Sequence, residues 1–352
     1  MTMKIQRSLL LFIRRTVIIW IVPTLILVGL YVWFDPMYDL RSRSVSPDGG
    51  FLPNKGNVTV NNFITHNPER HYDSFMVGSS ITISFQIADW LKYLPAGSRP
   101  FNFDSSAMSI AQMRDYIEWL TVNADSVRNV LIIIEPHILH HNEEFHESNS
   151  IVFRTPSTVE SSPIKSLKTR WLMFSHWYSW GNLSGWVLAS LNQNRINELI
   201  GNRYPLDVTI SKYDPIINEE SNPRIAEILE RKADSLEKMN PHWAMDKQPY
   251  EENGVFPPLI DESMSNDLKG MADILRDRNV SWKFVIIPEK KGKQLNPSDK
   301  EVLITILGDN LLDISSPESP AYKLIRNPYN FFDDVHYTPR ACRLIYPMIY
   351  QN

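Results

Sequence analysis

The stretch "YDSFMVGSSITISF", residues 72–85, decides the fold class of this 352-residue chain. A short apolar run, Phe75 to Val77, stands immediately before Gly78, Ser79 and Ser80. This order is typical of a buried strand that ends in a tight turn and leads into a helix. The serines have two explanations: they cap the helix, or they form a nucleophile elbow that exposes a hydroxyl at the carboxyl edge of a sheet.

Apolar strands and amphipathic helices alternate along much of the chain. The run "NVLIIIE" at 129–135 is continuously apolar up to its last residue, which is typical of a strand covered on both faces. The alternation predicts an α/β fold, a three-layer sandwich with a central parallel sheet. The predicted elements are helices at 109–120, 263–279 and 299–307 and strands at 74–77, 129–135, 281–289 and 311–315.

Composition excludes several classes of protein. With 43% hydrophobic and 22% charged residues, the chain is predicted to fold into a globular domain. A net charge of −4 without a long basic run argues against a nucleic-acid partner. Cys342 is the single cysteine, so an intramolecular disulfide and CxxC metal or redox motifs are excluded. We expect no cofactor.

Residues 16–34 are uncharged over 19 positions, enough for a membrane-spanning helix. Basic residues precede this stretch, whereas charges of both signs balance after it, which predicts a cytoplasmic N-terminus and an exported remainder. A cleaved signal peptide is the alternative, but the apolar stretch is long and "FDPMYDL" offers no small-residue cleavage site. The flanking charges are Lys4, Arg7, Arg14 and Arg15 before the stretch and Asp35, Asp39, Arg41 and Arg43 after it.

The chain is therefore divided into a cytoplasmic tail (1–15), a single-pass anchor in the cell (inner) membrane (16–34), a stalk or entry segment (35–71) and a periplasmic or extracellular α/β domain (72–352). An aromatic-rich insertion is predicted at about 150–250. Its tryptophans suggest a core helix pair, a lid that stacks on sugar rings or a surface at the membrane interface. They are Trp171, Trp177, Trp180 and Trp186, and a charged amphipathic helix is predicted at 221–239.

A second polar constellation lies near the C-terminus, in "NFFDDVHYTPRACRLIYPMI" at 330–349. Asp333 and His336 are three residues apart, so the carboxylate could accept a hydrogen bond from one imidazole nitrogen while the other nitrogen faces a hydroxyl. Asp334 is the alternative carboxylate. The D-x-x-H pattern is stronger evidence for a catalytic site because a G-x-S stretch follows the first strand of the same predicted sheet.

These two blocks resemble those of the SGNH (GDSL-type) hydrolase superfamily, which has a serine after the first strand and a D-x-x-H block near the end. The resemblance implies that Ser80 is the nucleophile, His336 its base and Asp333 the residue that orients the histidine. Ser79 is the alternative nucleophile. The motifs cover about 20 residues, although the order of elements agrees over most of the exported chain.

The middle blocks depart from the family pattern. Where the family has a glycine whose backbone N–H helps to bind the oxyanion, "FNFDSSAMS" at 101–109 has Ala107 or Ser106. Either residue would bind the oxyanion together with Ser80. Where the family has an asparagine, the chain has Glu135, Pro136 and His137. An N–H donor survives a change from glycine to alanine, whereas loss of one oxyanion donor costs about 10²–10³ in rate in a comparable enzyme.

Such departures look similar to the membrane-anchored branch that decorates cell-envelope polymers, the AlgX-type alginate-acetylation and DltD-type teichoic-acid D-alanylation proteins. That resemblance implies a multipass membrane acyltransferase and an envelope glycan as partners. The expected function is a serine acyltransferase that O-acetylates or otherwise acylates an exported polysaccharide. An esterase with the same triad and a non-catalytic envelope assembly protein on a decayed hydrolase fold are the alternatives.

The segment "EPHILHHNEEFHE" at 135–147 is rich in histidine and glutamate, residue types that can bind zinc. Its spacing fits no strong metal signature, so we expect a solvated loop at the active-site edge and no metal, with His137 as a candidate substrate contact. The remaining residues of the segment considered as ligands are His140, His141, His146, Glu143, Glu144 and Glu147.

Overall fold

The computed structural model describes residues 2–44, 54–141, 151–179, 212–221, 254–290, 293–325, 327, 330–331 and 335–350. Its centre is a five-stranded sheet in the order β2-β1-β3-β6-β7, in which every neighbouring pair is parallel. The predicted α/β class with a parallel sheet is therefore confirmed. The strands are β1 Ser74–Gly78, β2 Pro100–Asp104, β3 Asn129–Ile134, β6 Ser281–Ile286 and β7 Leu311–Asp313, and an antiparallel hairpin is formed by β4 Lys212–Asp214 and β5 Glu219–Ser221.

Helices pack on both faces of the sheet because alternate side chains of each strand point to opposite sides. The helices are α1 Thr2–Phe34, α2 Lys55–Arg70, α3 Ile87–Trp90, α4 Ile110–Asn123, α5 Pro163–Tyr178, α6 Glu262–Asp277, α7 Pro297–Leu307, α8 Tyr322–Ile325 and α9 Pro339–Tyr350. Phe75 and Val77 belong to the core under α2, α4, α6 and α7, whereas Met76 belongs to the core under α3 and α9.

Strand β1 lies at the point where the strand order reverses. β2 pairs with one side of β1 and β3 with the other. In open parallel sheets, a crevice forms beyond the carboxyl ends of the strands at such a point, and ligands bind there. Ser79 and Ser80 directly follow β1, so they lie at the edge of the sheet where such a crevice is expected.

The prediction of a stalk or loop over 35–71 is wrong for residues 55–70, which form α2. Val58, Val60 and Phe63 are buried, and Asn54 caps the helix by accepting a hydrogen bond from the Asn57 amide at 3.1 Å. The segment is rich in asparagine, which normally indicates a loop. Here the buried asparagines bond to neighbouring chain segments, a contribution that only tertiary contacts reveal.

Helix α1 contains a stretch, Arg14–Phe34, that is long and apolar enough to cross a membrane, with a mean hydropathy of 2.4. This stretch includes the predicted anchor at 16–34. Immediately after it, the chain is held by α2: Asn57 Nδ2 donates to the Met37 carbonyl at 2.9 Å, and Asn61 Nδ2 donates to the Tyr38 carbonyl at 2.6 Å.

The predicted insertion is described only in part. Helix α5 buries Met173 and Trp177 in a small cluster with Tyr31, Met37 and Ile151, which is separate from the two cores of the sheet. The hairpin β4–β5 packs near the carboxyl end of β2, where Asn218 Nδ2 donates to Asp104 Oδ1 at 2.6 Å. Trp180, Trp186 and nearly all of the predicted helix at 221–239 lie outside the described residues.

Candidate active site

Gly78 ends β1 where no larger residue fits. A Cβ atom built at Gly78 would lie 2.5 Å from the Ile133 carbonyl oxygen and 2.6 Å from Thr82 Cγ2. The glycine is required by this close approach of β3 and not by a positive φ, since Gly78 is absent from the positive-φ glycines of the described chain. The tight packing fixes the direction in which the next two residues leave the strand.

Ser79 and Ser80 have different surroundings. Ser79 is buried and caps the short 3-10 helix Ser80–Ser84: its Oγ accepts from the Ile81 amide at 3.5 Å, and its carbonyl accepts from Thr82 Oγ1 at 2.9 Å. Ser80 is half-buried. Ser79 therefore stabilises the turn, and Ser80 is the serine whose side chain remains partly accessible.

The structure brings Ser80 and His336 together across 256 residues of sequence, with 2.8 Å between Ser80 Oγ and His336 Nε2. The histidine is held by its neighbour Tyr337, which is fully buried. The Tyr337 hydroxyl donates to the Pro288 carbonyl beyond β6, and the Tyr337 carbonyl accepts from Ser84 Oγ. The turn after β1, the end of β6 and the segment before α9 thus position one serine–histidine pair.

This pair can perform base-assisted nucleophilic chemistry. A neutral imidazole has one donor and one acceptor nitrogen, so Nε2 can accept the Ser80 proton only when Nδ1 carries the ring proton. The carboxylates predicted to hold Nδ1, Asp333 and its alternative Asp334, lie outside the described residues.

The loop after β2 supplies the predicted oxyanion residues. Ala107 has a φ of 49°, in the left-handed region that favours glycine. The same loop contacts the turn Gly78–Ser80, which we call the serine turn: the Ser105 amide donates to the Gly78 carbonyl at 3.3 Å. Ser106 and Ala107 are both half-buried. Position 107 thus has the backbone conformation of a glycine, although its residue is alanine.

The loop after β3 carries a second histidine with carboxylate neighbours. His137 Nδ1 lies 3.2 Å from Glu289 Oε2 and 3.7 Å from Glu135 Oε2. Both carboxylates are buried at the same carboxyl edge, Glu135 after β3 and Glu289 after β6. An ionised carboxylate only accepts hydrogen bonds, so in contact with an ionised Glu289 the His137 Nδ1 would be the donor.

The rest of the histidine-rich segment does not converge on one point in the described residues. His140 stacks edge-on against Phe256, with ring centroids 5.1 Å apart, and partial burial lowers its pKa. Within the part of the chain that the structure describes, no group of three histidine, cysteine or acidic side chains is arranged to hold a metal ion. Glu143, Glu144, His146 and Glu147 lie outside the described residues.

Sequence reasoning missed two parts of this edge. Glu289 and Lys290 follow β6 and are buried, with the Lys290 ammonium 5.7 Å from the centre of the Phe331 ring. The sequence does contain an indication of Glu289. A glutamate follows the apolar run in "IIPEK" after β6, as it does in "IIIEP" after β3, so both glutamates are expected at the same edge of the sheet.

The second missed part lies beyond β2. Asp104 is fully buried and lies 3.7 Å from the Lys55 ammonium, and it accepts hydrogen bonds from Thr59 and Asn218. These contacts join the end of β2 to α2 and to the hairpin β4–β5. No local pattern in the sequence indicates them, because the four residues come from three distant segments.

No protein-family model matches this chain, and a search of curated proteins finds no significant match.

Proposed function

We propose that this protein is a membrane-anchored serine acyltransferase that moves an acyl group, such as acetyl, onto an exported or cell-envelope polysaccharide. The observation that carries the proposal is the 2.8 Å contact between Ser80 Oγ and His336 Nε2 at the topological switch point of a parallel sheet. A serine and a histidine at this distance, with the serine at the tip of a tight strand-to-helix turn, are the elements of covalent acyl catalysis.

In the first half of the reaction, Ser80 Oγ attacks the carbonyl carbon of an acyl donor while His336 Nε2 takes the hydroxyl proton. The tetrahedral intermediate then collapses, the bond to the donor oxygen or sulfur breaks, and His336 returns the proton to that leaving group. The product of this half is acyl-Ser80.

In the second half, a sugar hydroxyl attacks acyl-Ser80 and His336 takes its proton. The bond between the acyl carbon and Ser80 Oγ breaks, and the proton passes to Ser80. Backbone amides near Ala107 and Ser80 are the proposed donors to the oxyanion, and the glycine-like backbone at Ala107 supports this assignment. Asp333, as in the SGNH-type resemblance, is the proposed partner of His336 Nδ1.

Transfer to a polymer, rather than hydrolysis, is supported by the candidate anchor α1, because an anchored domain would act beside a multipass membrane acyltransferase that delivers the acyl group. An esterase would use the same pair with water as the acceptor. If Ser80 is unreactive, the alternative function is that of a non-catalytic assembly protein.

The test uses the full chain in nanodiscs and a fluorophosphonate probe, which reacts preferentially with activated serines. We expect one adduct on Ser80, located by peptide mass spectrometry, and none in Ser80→Ala. The matched control is Ser79→Ala, which removes the neighbouring hydroxyl that caps the turn and should keep most of the labelling. Absence of an adduct on Ser80 in a folded wild-type protein would falsify the enzymatic proposal.

A second experiment separates transfer from hydrolysis. Acyl-Ser80 is formed with p-nitrophenyl acetate and then given envelope oligosaccharides as acceptors. Acetylated oligosaccharide in excess of free acetate supports the transferase, whereas free acetate as the only product in the presence of acceptor assigns an esterase.

A further inference from the structure

Helix α5 presents an exposed apolar face. Ile164, Leu167, Trp171 and Tyr178 are 81%, 70%, 65% and 48% exposed, and with the partly buried Phe174 they follow one another at intervals of three or four residues. This spacing places all five on one side of the helix. The opposite side is buried through Thr169, Met173 and Trp177, and Phe174 also contacts this packed cluster, whereas Ile164, Leu167, Trp171 and Tyr178 remain exposed.

The apolar face of α5 continues into the candidate membrane span. Tyr31, near the end of α1, packs against Phe174 and Trp177 with ring centroids 5.2 and 5.3 Å apart. Trp33 and Phe34, the last two residues of α1, are exposed large aromatics. Tryptophan and tyrosine are enriched where a membrane-spanning helix meets the water interface. The α5 face therefore begins at the depth where α1 would leave the bilayer.

The charge of α5 also fits a membrane surface. Lys165, Lys168 and Arg170 are its charged residues, and the helix contains no aspartate or glutamate. Interfacial helices characteristically combine a basic polar face with tryptophan, phenylalanine and leucine on the other side, and anionic headgroups attract the basic residues. This local positive charge contrasts with the net charge of −4 of the whole chain.

We propose that the apolar face of α5 lies in the outer lipid interface of the bilayer that α1 crosses, as a second membrane contact beside the anchor. This contact would restrict the orientation of the domain. The chain that follows α1 is bound to the N-terminal half of α2, and Lys55 of that half pairs with Asp104 at the end of β2. The domain thus joins its anchor at the carboxyl edge of the sheet, the edge that bears Ser80.

The experiment measures the depth of α5 with an environment-sensitive label. Leu167→Cys, and separately Ile164→Cys, are labelled with the fluorophore NBD in the full chain, since the one native cysteine, Cys342, is buried. The protein is reconstituted at one copy per nanodisc of phosphatidylethanolamine and phosphatidylglycerol, with spin-labelled lipids as quenchers. Val122→Cys is the matched control. Val122 is an exposed apolar residue, 75% accessible, near the C-terminal end of α4, which is the end farther from the carboxyl edge of the sheet.

We expect blue-shifted emission at positions 164 and 167 and loss of most of it to lipids spin-labelled at shallow depth, because interfacial helices bury their apolar face by about 5–10 Å. The Val122→Cys label should stay unquenched. Equal behaviour at 167 and 122 would overturn the proposal. Shielding of the label only when two copies share a disc, or only when a membrane protein partner is added, would overturn it in favour of a protein contact. Ser80 labelling plays no part in this readout, so the outcome is independent of the proposed reaction.

Discussion

The loops after β1 and β3 lie side by side at one sheet edge, yet they present different chemistry. The first places a serine hydroxyl against His336, and the second places His137 beside the carboxylates of Glu289 and Glu135. A hydroxyl can give its proton to an imidazole, whereas an ionised carboxylate can only accept one. The hydrogen-bond partner of the ring therefore distinguishes the two histidines: His336 is a candidate base because it faces a hydroxyl, and His137 is held in place because it faces carboxylates.

The contrast between the two histidines gives the largest expected effect. His336→Ala should slow fluorophosphonate labelling of Ser80 by about 10²–10⁴, the usual contribution of a general base. His137→Ala should change the labelling rate little, because its ring is bound to Glu289 and not to Ser80. The measurement is the pseudo-first-order labelling rate, after circular dichroism shows that both variants are folded. Equal losses in the two variants would contradict the distinction.

The packing that forms the serine turn gives the next effect. Gly78→Ala should lower the free energy of unfolding by about 1–3 kcal/mol, the usual cost of overpacking, since the new methyl group meets the Ile133 carbonyl. Gly270→Ala is the control: it lies within α6, and its Cβ would meet only the Arg114 side chain at 3.4 Å. This control should be neutral or stabilising by up to about 1 kcal/mol. Urea denaturation measures both, and equal stability of the two variants would contradict the steric account.

A smaller effect is expected in the loop after β2, where the backbone of Ala107 has a left-handed conformation. Ala107→Gly should stabilise the fold by less than about 1 kcal/mol, because relief of the left-handed conformation is partly offset by the greater freedom of glycine in the unfolded chain. Labelling of Ser80 should be retained, since the amide at 107 is kept. A clear loss of stability would show that the alanine methyl group makes a contact worth more than the strain it causes.

The attachment of the hairpin β4–β5 to the start of α3 gives the smallest expected effect. Glu219 accepts a hydrogen bond from the Ile87 amide at 2.5 Å, and burial raises its pKa from 4.5 to about 7. Between these two values the unfolded state has lost the proton that the folded state keeps. The contribution of Glu219 to stability is therefore full below pH 4.5 and decreases as the pH rises to about 7.

Glu219→Gln should consequently reduce the fall in melting temperature between about pH 5 and about pH 8, since glutamine does not titrate in this range. Glu301→Gln, which changes an exposed glutamate of α7, is the control and should leave the fall as it is in the wild type. Identical pH profiles for Glu219→Gln and the wild type would show that burial of Glu219 does not couple to folding.

Strong local patterns made most of the sheet predictable. The continuous apolar runs that form β1, β3 and β6 are long enough to identify as strands, and the structure shifts their predicted ends by one to three residues. Helices α4, α6 and α7 were indicated by their apolar spacing and contain most of the predicted ranges. By contrast, α2 was missed because its asparagines, which tertiary contacts bury, have the composition of a loop. Strand β2 was missed because its five residues are short of a continuous apolar run, with Pro100, Asn102 and Asp104 among them.

The class of fold, the candidate anchor and the two blocks that contain Ser80 and His336 could be predicted from the sequence, because each depends on residues close together in the chain. The serine that faces the histidine, the carboxylates around His137 and the place where the domain joins its anchor became evident only in the folded protein. These depend on contacts between residues that are not neighbours in the chain: Asn57 and Met37 are 20 residues apart, His137 and Glu289 are 152 apart, and Ser80 and His336 are 256 apart. Hydrophobic periodicity specifies which side of an element is buried but not which distant element covers it, and that pairing is fixed only when the whole core packs.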